Sequence, residues 1–237
     1  YLLKKKYFTL VENMVLVPVS TWLRVLLSDS FLSCYPTRRI YNGVDVDVFR
    51  PVSIEKWIYE KGFCGKRMVL GVANNWDNRK GLKDFLELRK ILFSDYIVVL
   101  VGLKDKQIKS LPEGIIGIKR TDSVEELAMY YSAASVFVNP TWEDNFPTVN
   151  LEALACGTPV ITYRTGGSVE AVTDETGLVV EQGDIQGLAW AIYEMSSKDR
   201  KKLEIVCRKR VLDCFNKDDR YGDYLNLYNN LLLNTTI

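Results

Sequence analysis

Histidine is absent from this chain of 237 residues. Its absence removes Ser-His-Asp and Cys-His nucleophile systems and most transition-metal sites. Cysteine is sparse: Cys34, Cys64, Cys156, Cys207 and Cys214 are odd in number and include no CxxC pair, which argues against a disulfide framework and against structural zinc. A reducing, cytoplasmic setting fits that usage. Cys207 and Cys214 stand seven apart in a helical stretch and read as core residues of one face. An excess of either charge is also missing, with 31 Lys and Arg against 30 Asp and Glu, so no global field favours nucleic acid or an anionic membrane. Long apolar runs are missing too. The longest, such as IVVLVGL over 97–103, fall far below the roughly 20 residues of a membrane span. No GxGxxG follows a strand pattern, and FCGKR (63–67) lacks the glycine spacing and hydroxyl of a Walker loop. Dinucleotide oxidoreductases and P-loop NTPases are thereby disfavoured.

What is present is ample apolar material, 47% of the residues, in an alternating order. The chain opens at Tyr1 already in helical periodicity, as a piece whose start is missing would. Residues 1–50 read as helix, a short strand MVLVPVS (14–20), a helix over 21–33, then a linker marked by Asn42-Gly43, a polar DVD (45–47) and Pro51. From Lys66 onward, Val/Ile-rich strands (RMVLGVA, YIVVLVG, GIIGIKR, SVFVNP, PVITYR, GLVV) alternate with amphipathic helices. That order means βαβ units and a parallel, doubly wound α/β sheet of Rossmann type. In such sheets ligands lie beyond the carboxyl ends of the strands. The loops to inspect therefore follow Ala73, Gly102, Arg120, Asn139 and Arg164.

The first of these, NNWDNRKG (74–81), places Arg79 and Lys80 just before Gly81 and a helix. Two cations at a strand-to-helix turn suit a diphosphate, although two solvated loop charges would read the same way. The loop after Asn139 begins WEDNFP (142–147) and runs into a small-residue helix. With Pro147 as first helical residue, the N–H groups of Thr148, Val149 and Asn150 are unpaired donors and Phe146 is a poor cap, which suits an anionic ligand. Capping by Asn145 or Asp144 is the alternative. On one continuous helix, the eight positions from Asp144 to Glu152 would span about 12 Å. That exceeds the roughly 5 to 9.5 Å of a glycosidase acid/base pair and suits two readers at opposite ends of an elongated ligand. Carboxylates accept from vicinal hydroxyls, so one could take a ribose and the other a hexose. Glu152 sits among core-like Leu151, Ala153, Leu154 and Ala155, where an unpaired carboxylate is costly; a Lys or Arg partner is the alternative explanation. Gly166-Gly167, in RTGGSVEAV (164–172), permits positive φ and close backbone approach.

The stretch NPTWEDNFPTVNLEALACGTPVITYRTGGSVEAV resembles the donor-site signature of retaining GT-B glycosyltransferases of family 4: an acid, seven residues, Glu in an EAlAcGtPVI helix, then a GG-x-x-E loop. RKGL and IYNGVDVDVFRP extend the resemblance upstream, and the terminal helices extend it downstream. It implies two Rossmann-like lobes. Residues 1–45 would be the end of the amino-terminal acceptor lobe with the hinge, 46–215 the nucleotide-sugar donor lobe, and 216–237 a helix crossing back. By the same resemblance Glu152 would hold the ribose hydroxyls, Asp144 the hexose hydroxyls, and Lys80 the diphosphate. N–H groups near Phe146, Thr148 and Val149 would meet sugar and phosphate, and the backbone at Lys119, Arg120 and Thr121 the base. Asn74, Asn75, Asn145, Pro147, Gly166 and Gly167 complete the expected donor-binding set. Asp144 stands where Glu is usual, Pro147 where a glycine N–H is usual, and Asn75 where a phosphate-binding arginine is usual; Arg79 is the candidate to supply that charge.

The reaction implied is transfer from a nucleotide diphosphate sugar to a saccharide or lipid-linked glycan acceptor of polysaccharide biosynthesis, with retention and without a bound metal or other cofactor. The DVD segment resembles the metal-binding Asp-x-Asp of another glycosyltransferase fold but lacks the strand-end setting, so no metal site is expected. Front-face attack, with a leaving-group oxygen taking the acceptor proton, requires no protein base. Two alternatives remain: a non-catalytic nucleotide-sugar-binding lobe that needs a partner, and a GT-B sugar epimerase. The KKKY cluster (4–7) reads as a solvated helix face, with peripheral association at the cytoplasmic face of a membrane as the alternative.

Overall fold

The structure, a computed structural model, describes residues 1–233. Of the expected 216–237 crossover segment, 234–237 lie outside the described residues. Among these residues six strands form one parallel sheet: β1 (Arg67–Val72), β2 (Tyr96–Val101), β3 (Ile115–Ile118), β4 (Val136–Asn139), β5 (Val160–Tyr163) and β6 (Gly177–Val180). Their spatial order is β3-β2-β1-β4-β5-β6, every neighbouring pair parallel. The order reverses between β1 and β4, which opens a crevice beyond their carboxyl ends. The expected doubly wound α/β sheet is therefore the observed one.

Among the described residues ten α-helices surround or precede it: α1 (Leu2–Phe8), α2 (Thr21–Ser28), α3 (Glu55–Glu60), α4 (Leu82–Ile91), α5 (Asp105–Ile108), α6 (Val124–Ala133), α7 (Thr148–Ala155), α8 (Ile185–Ser197), α9 (Arg200–Cys214) and α10 (Lys217–Leu232). Successive strand side chains point to opposite faces, so each strand feeds two cores. Val99 and Phe137 join α6, α7 and α9 on one face. Val98, Leu100, Val136 and Val138 join α4 and α8 on the other. Cys207 is buried in the first core, with Cys214 packed at its margin.

The amino-terminal segment departs from expectation in two places. MVLVPVS makes no strand beyond a single bridge, Leu16 to Thr37, because Pro18 has no N–H to continue a ladder. The helix over 21–33 stops at Ser28. There the hydroxyls of Ser28 and Ser30 turn back onto the carbonyls of Val25 and Leu27 at 2.6 and 2.9 Å, competing with helix continuation. The DVD region is no free linker. Val44 N–H donates to Phe215 O, Lys217 N–H donates to Val44 O, and Arg208 donates to the carbonyls of Val46 and Phe49. Asp45 pairs with Lys217 and accepts from the N–H groups of Asp47 and Val48. Every residue of α1, its three lysines included, is exposed.

Candidate functional site

The loops that follow β1, β2 and β3, together with α7, bound a cleft of about 900 Å³. Its walls include Asn74 after β1, Gly102 to Asp105 after β2, Lys119 to Thr121 after β3, and Thr148, Val149 and Glu152 of α7. The loop after β1 is anchored by Trp76, whose buried indole donates to Val101 O at 2.8 Å and whose own carbonyl accepts from Gln107 Nε2 at 2.8 Å. At the mouth Lys119 and Asp105, both well exposed, pair at 2.8 Å. A second groove, around Lys66, Arg89 and Gly114, lies at the amino ends of the strands, away from the crevice.

Helix α7 forms one wall of the cleft through Thr148, Val149 and Glu152. It begins at Thr148, with Pro147 before it in extended conformation (φ −71°, ψ 120°) and no side chain among the described residues capping it. This corrects the expectation that Pro147 is the first helical residue. It also removes Asn150 from the free donors, since its N–H reaches back to Pro147 O at 3.2 Å. Among the described residues no acceptor meets the N–H groups of Thr148 or Val149, so two donors of the helix start remain available. The orientation of α7 is set by a buried polar network. Asn139 at the end of β4 donates to Asn150 Oδ1 at 2.8 Å, Asn150 Nδ2 donates to Ser168, and Ser168 meets Thr162 of β5.

Glu152 projects from the second turn of α7 into the cleft. Its partner is a neutral hydroxyl, Tyr131 Oη donating to Oε2 at 2.8 Å, rather than the Lys or Arg that one reading anticipated. Burial pushes the Glu152 carboxyl above the ordinary glutamate value, against the downward pull of Tyr131 and Thr148. Burial and the neighbouring carboxylate together push the Tyr131 phenol well up. A carboxylate at the cleft wall, with lone pairs beyond those that meet Tyr131 and Thr148, is suited to vicinal hydroxyls.

Lys80 and Asp144, assigned to different parts of a ligand, touch each other in the free chain. Lys80 Nζ lies 2.6 Å from Asp144 Oδ2, with the two side chains 21% and 15% exposed. Asp144 Oδ1 accepts from Phe146 N–H at 3.3 Å. Thus Asp144 turns partly onto its own loop, and it does not lie on a helix continuous with Glu152. Lys80 ends the 3-10 turn Asn78–Lys80, which Asp77 caps. Gly81 follows at φ 75°, where a Cβ would stand 2.3 Å from Pro140 O, so the cationic turn and the β4 loop approach closely. Trp142 locks that approach. Its N–H donates to Arg79 O at 2.8 Å, and its indole donates to Asp84 Oδ2 at 3.1 Å. Arg79 itself is exposed, and among the described residues its guanidinium has no partner.

The glycine pair after β5 serves the same loop from the other side. Gly166 (φ 48°) passes so near that a Cβ would stand 1.9 Å from Asp144 O, and a Cβ on Gly167 would stand 1.9 Å from Asn145 O. Gly167 N–H donates to Asp144 O at 3.2 Å. The close approach is therefore to the chain's own backbone. Asn145 and Asn75 are exposed, while Phe146 is buried against Tyr41. The cleft takes in Asn74, Lys119, Arg120, Thr121, Thr148, Val149 and Glu152 of the expected set; Asn75, Arg79, Lys80, Asp144, Asn145, Phe146, Pro147, Gly166 and Gly167 are not among its lining residues. Sequence reasoning missed Tyr131, Asp84, Trp142 and Glu170. Only Glu170 carried a signal, as the acid of the GG-x-x-E pattern.

Comparison with known proteins bears on this geometry. The sequence model of the family described as Glycosyl transferases group 1 matches residues 66–198. The capsular polysaccharide biosynthesis glycosyltransferase CapM of Staphylococcus aureus is 27% identical over 210 residues, 87% of this chain and 48% of CapM. Among solved structures, a sucrose-phosphate synthase from Thermosynechococcus elongatus superposes with a TM-score of 0.83 at 27% identity, covering 98% of this chain and 61% of that one. Anabaena HepE in complex with UDP-glucose superposes with a TM-score of 0.75 at 18% identity, covering 91% and 63%, a likeness of fold. The chain spans less than two thirds of each of these proteins.

Proposed function

The chain belongs to the group 1 glycosyl transferases, with the GT-B fold of their carboxy-terminal lobe, and from that premise we propose that it binds a nucleotide diphosphate sugar and serves its transfer, with retention, to a saccharide or lipid-linked acceptor in glycan biosynthesis. The observation that carries this reading is one wall with two ends. Glu152 and the free N–H groups of Thr148 and Val149 line a single cleft, and Asp144, in the loop that leads into the same helix, pairs with Lys80 of the turn after β1. In this reading residues 46–215 are the donor lobe, 1–45 the end of an acceptor lobe with its hinge, and 216–233 part of the crossover helix.

Roles follow from the chemistry of each group. Glu152 accepts from the ribose hydroxyls, the backbone of Lys119 to Thr121 meets the base, and Thr148 and Val149 N–H donate to the phosphates. Asp144 takes hydroxyls of the sugar. As the bond from the anomeric carbon to the phosphate oxygen breaks, negative charge grows on the diphosphate. Lys80 and Arg79 stabilise it, so this reading needs no metal. The acceptor oxygen bonds to the anomeric carbon, and its proton passes to the departing phosphate oxygen.

Calorimetric titration with UDP- and GDP-sugars, followed by a transfer assay on the full-length protein, tests the proposal. Lys80→Ala is expected to lower turnover by about 10²- to 10³-fold with an unchanged circular dichroism spectrum; near wild-type transfer would refute its role. Binding without transfer would identify a non-catalytic donor-binding subunit instead, and absence of binding would refute the donor site.

A further inference from the structure

Glu170 lies outside the cleft, in the 3-10 turn Ser168–Ala171, yet it joins three distant segments. Its Oε2 accepts from Thr21 N–H and its Oε1 from Trp22 N–H, both at 2.8 Å. These are the first residues of α2, so the carboxylate satisfies two donors that a helix start leaves unpaired. Ser20 Oγ takes a third, from Leu23 N–H. The Tyr41 hydroxyl then donates to Glu170 Oε2 at 2.8 Å. Burial pushes the Glu170 carboxyl up, but the N–H groups of Trp22 and Thr21 and the Tyr41 hydroxyl more than offset it, and its pKa lies below the ordinary value.

The contacts continue through Tyr41. Its ring stacks on Phe146 at 4.9 Å between centroids and 26° between planes, under the Arg39 guanidinium at 3.8 Å. The adjacent Asn42 donates to Phe146 O at 3.4 Å. Phe146 N–H is held by Asp144 Oδ1, and Asp144 Oδ2 by Lys80. An unbroken series of packed or hydrogen-bonded groups thus runs from α2 through Glu170, Tyr41 and Phe146 to Asp144. The nucleotide side of the cleft rests on Tyr131 under Glu152 and Asn139 under Asn150, and its link to the turn of Glu170 runs through Ser168 rather than through the Glu170 carboxylate.

We propose that Glu170 and Tyr41 are positioning residues that fix the Asp144 loop relative to α2, so that the segment preceding the sheet governs the grip on the donor's sugar and not on its nucleotide. The ligand part of this inference rests on the donor-site reading above; the strut itself does not.

Two variants and two readouts test it. Glu170→Gln keeps the shape but replaces one accepting oxygen with a donor. Tyr41→Phe keeps the ring on Phe146 and deletes only the hydroxyl. Amide hydrogen exchange on the ligand-free chain is expected to quicken about tenfold at Thr21 and Trp22 in Glu170→Gln, and about threefold or more at Phe146 in both variants. Exchange that quickens only at Thr21 and Trp22 would reduce Glu170 to a local helix cap and overturn the proposal. Calorimetry with UDP and UDP-glucose, and with GDP and GDP-mannose, supplies the second readout. The diphosphate's affinity is expected to stay within about twofold of wild type, while the extra affinity contributed by the sugar falls about tenfold. Equal losses for both ligands, or none, would overturn it. Should wild type bind none of the four, the donor reading fails, and exchange at Phe146 still decides the strut.

Discussion

Asp144→Asn should push two ligands in opposite directions. In the free chain Asp144 holds the Lys80 ammonium at 2.6 Å with both side chains largely shielded. Unit charges about 4 Å apart attract by about 4 kcal/mol at an effective dielectric of about 20, before desolvation is counted. Net values are smaller, from under about 1 kcal/mol for exposed pairs to about 3–5 kcal/mol for breaking buried ones, so about 1–2 kcal/mol is reasonable for this pair. A diphosphate arriving at Lys80 must compete with that carboxylate and is repelled by it. Asparagine keeps the shape and the Oδ1 that accepts from Phe146 N–H, but removes the charge. UDP should therefore bind the variant about fivefold tighter, a gain of about 1 kcal/mol that shrinks as salt rises. If Asp144 takes the sugar as proposed, the sugar of UDP-glucose loses charge-assisted acceptance worth about 1.5–3 kcal/mol, and the affinity it adds to UDP should fall at least tenfold. Paired calorimetric titrations at two salt concentrations measure both. Weaker binding of UDP by the variant would show that Asp144 orients Lys80 instead of competing for it, and the reasoning would be wrong.

Glu152→Gln is expected to stabilise the chain while weakening nucleotide binding. Its carboxyl is raised above the ordinary glutamate value, chiefly by burial, so its contribution to stability is full below the unfolded pKa and is lost as pH rises through the folded one. At neutral pH the neutral isostere should therefore raise the thermal midpoint, by about 2–4 °C for each kcal/mol gained; a lower midpoint would refute the burial argument. Glu170 has the opposite sign. Its lowered pKa gives stability that is present above the unfolded value and lost as pH falls through the folded one, so Glu170→Gln should flatten the acid side of a midpoint-against-pH curve. Gly166→Ala would force a Cβ into a left-handed conformation 1.9 Å from Asp144 O. A loss of about 2 kcal/mol or more, near 4–8 °C in midpoint, is expected together with weaker sugar binding; an unchanged midpoint would contradict the close approach.

Much of the candidate site was legible because loops at the strand ends carry residues out of keeping with their surroundings. Glu152 stood out as an acid among Leu151, Ala153, Leu154 and Ala155, and α7 does present it to the cleft. The bare start of that helix was legible from Pro147 and Phe146, although Pro147 precedes the helix and Asn150 N–H is taken. Pattern alone could not foresee that Tyr131, 21 residues upstream, supplies the hydroxyl under Glu152, because α6 and α7 meet only through tertiary packing. The same holds for Asp84 under Trp142, where a first-turn acid of α4 looks like any solvated helix residue until Tyr163 and the indole close over it. The MVLVPVS strand failed for a related reason: apolar alternation proposes a strand, but a strand needs a neighbour with free N–H and C=O groups.

Local chemistry thus settled the alternation of strands and helices, the loops at the carboxyl ends of the strands and the identity of the acids and cations within them, since strand propensity, helix periodicity and turn residues act over a few positions. Tertiary structure alone decided which of those charged groups meet. Lys80 and Asp144 are 64 residues apart and Glu170 and Thr21 are 149 apart, and contacts at such separations depend on how the strands stack and where the loops land, which no short stretch of sequence encodes.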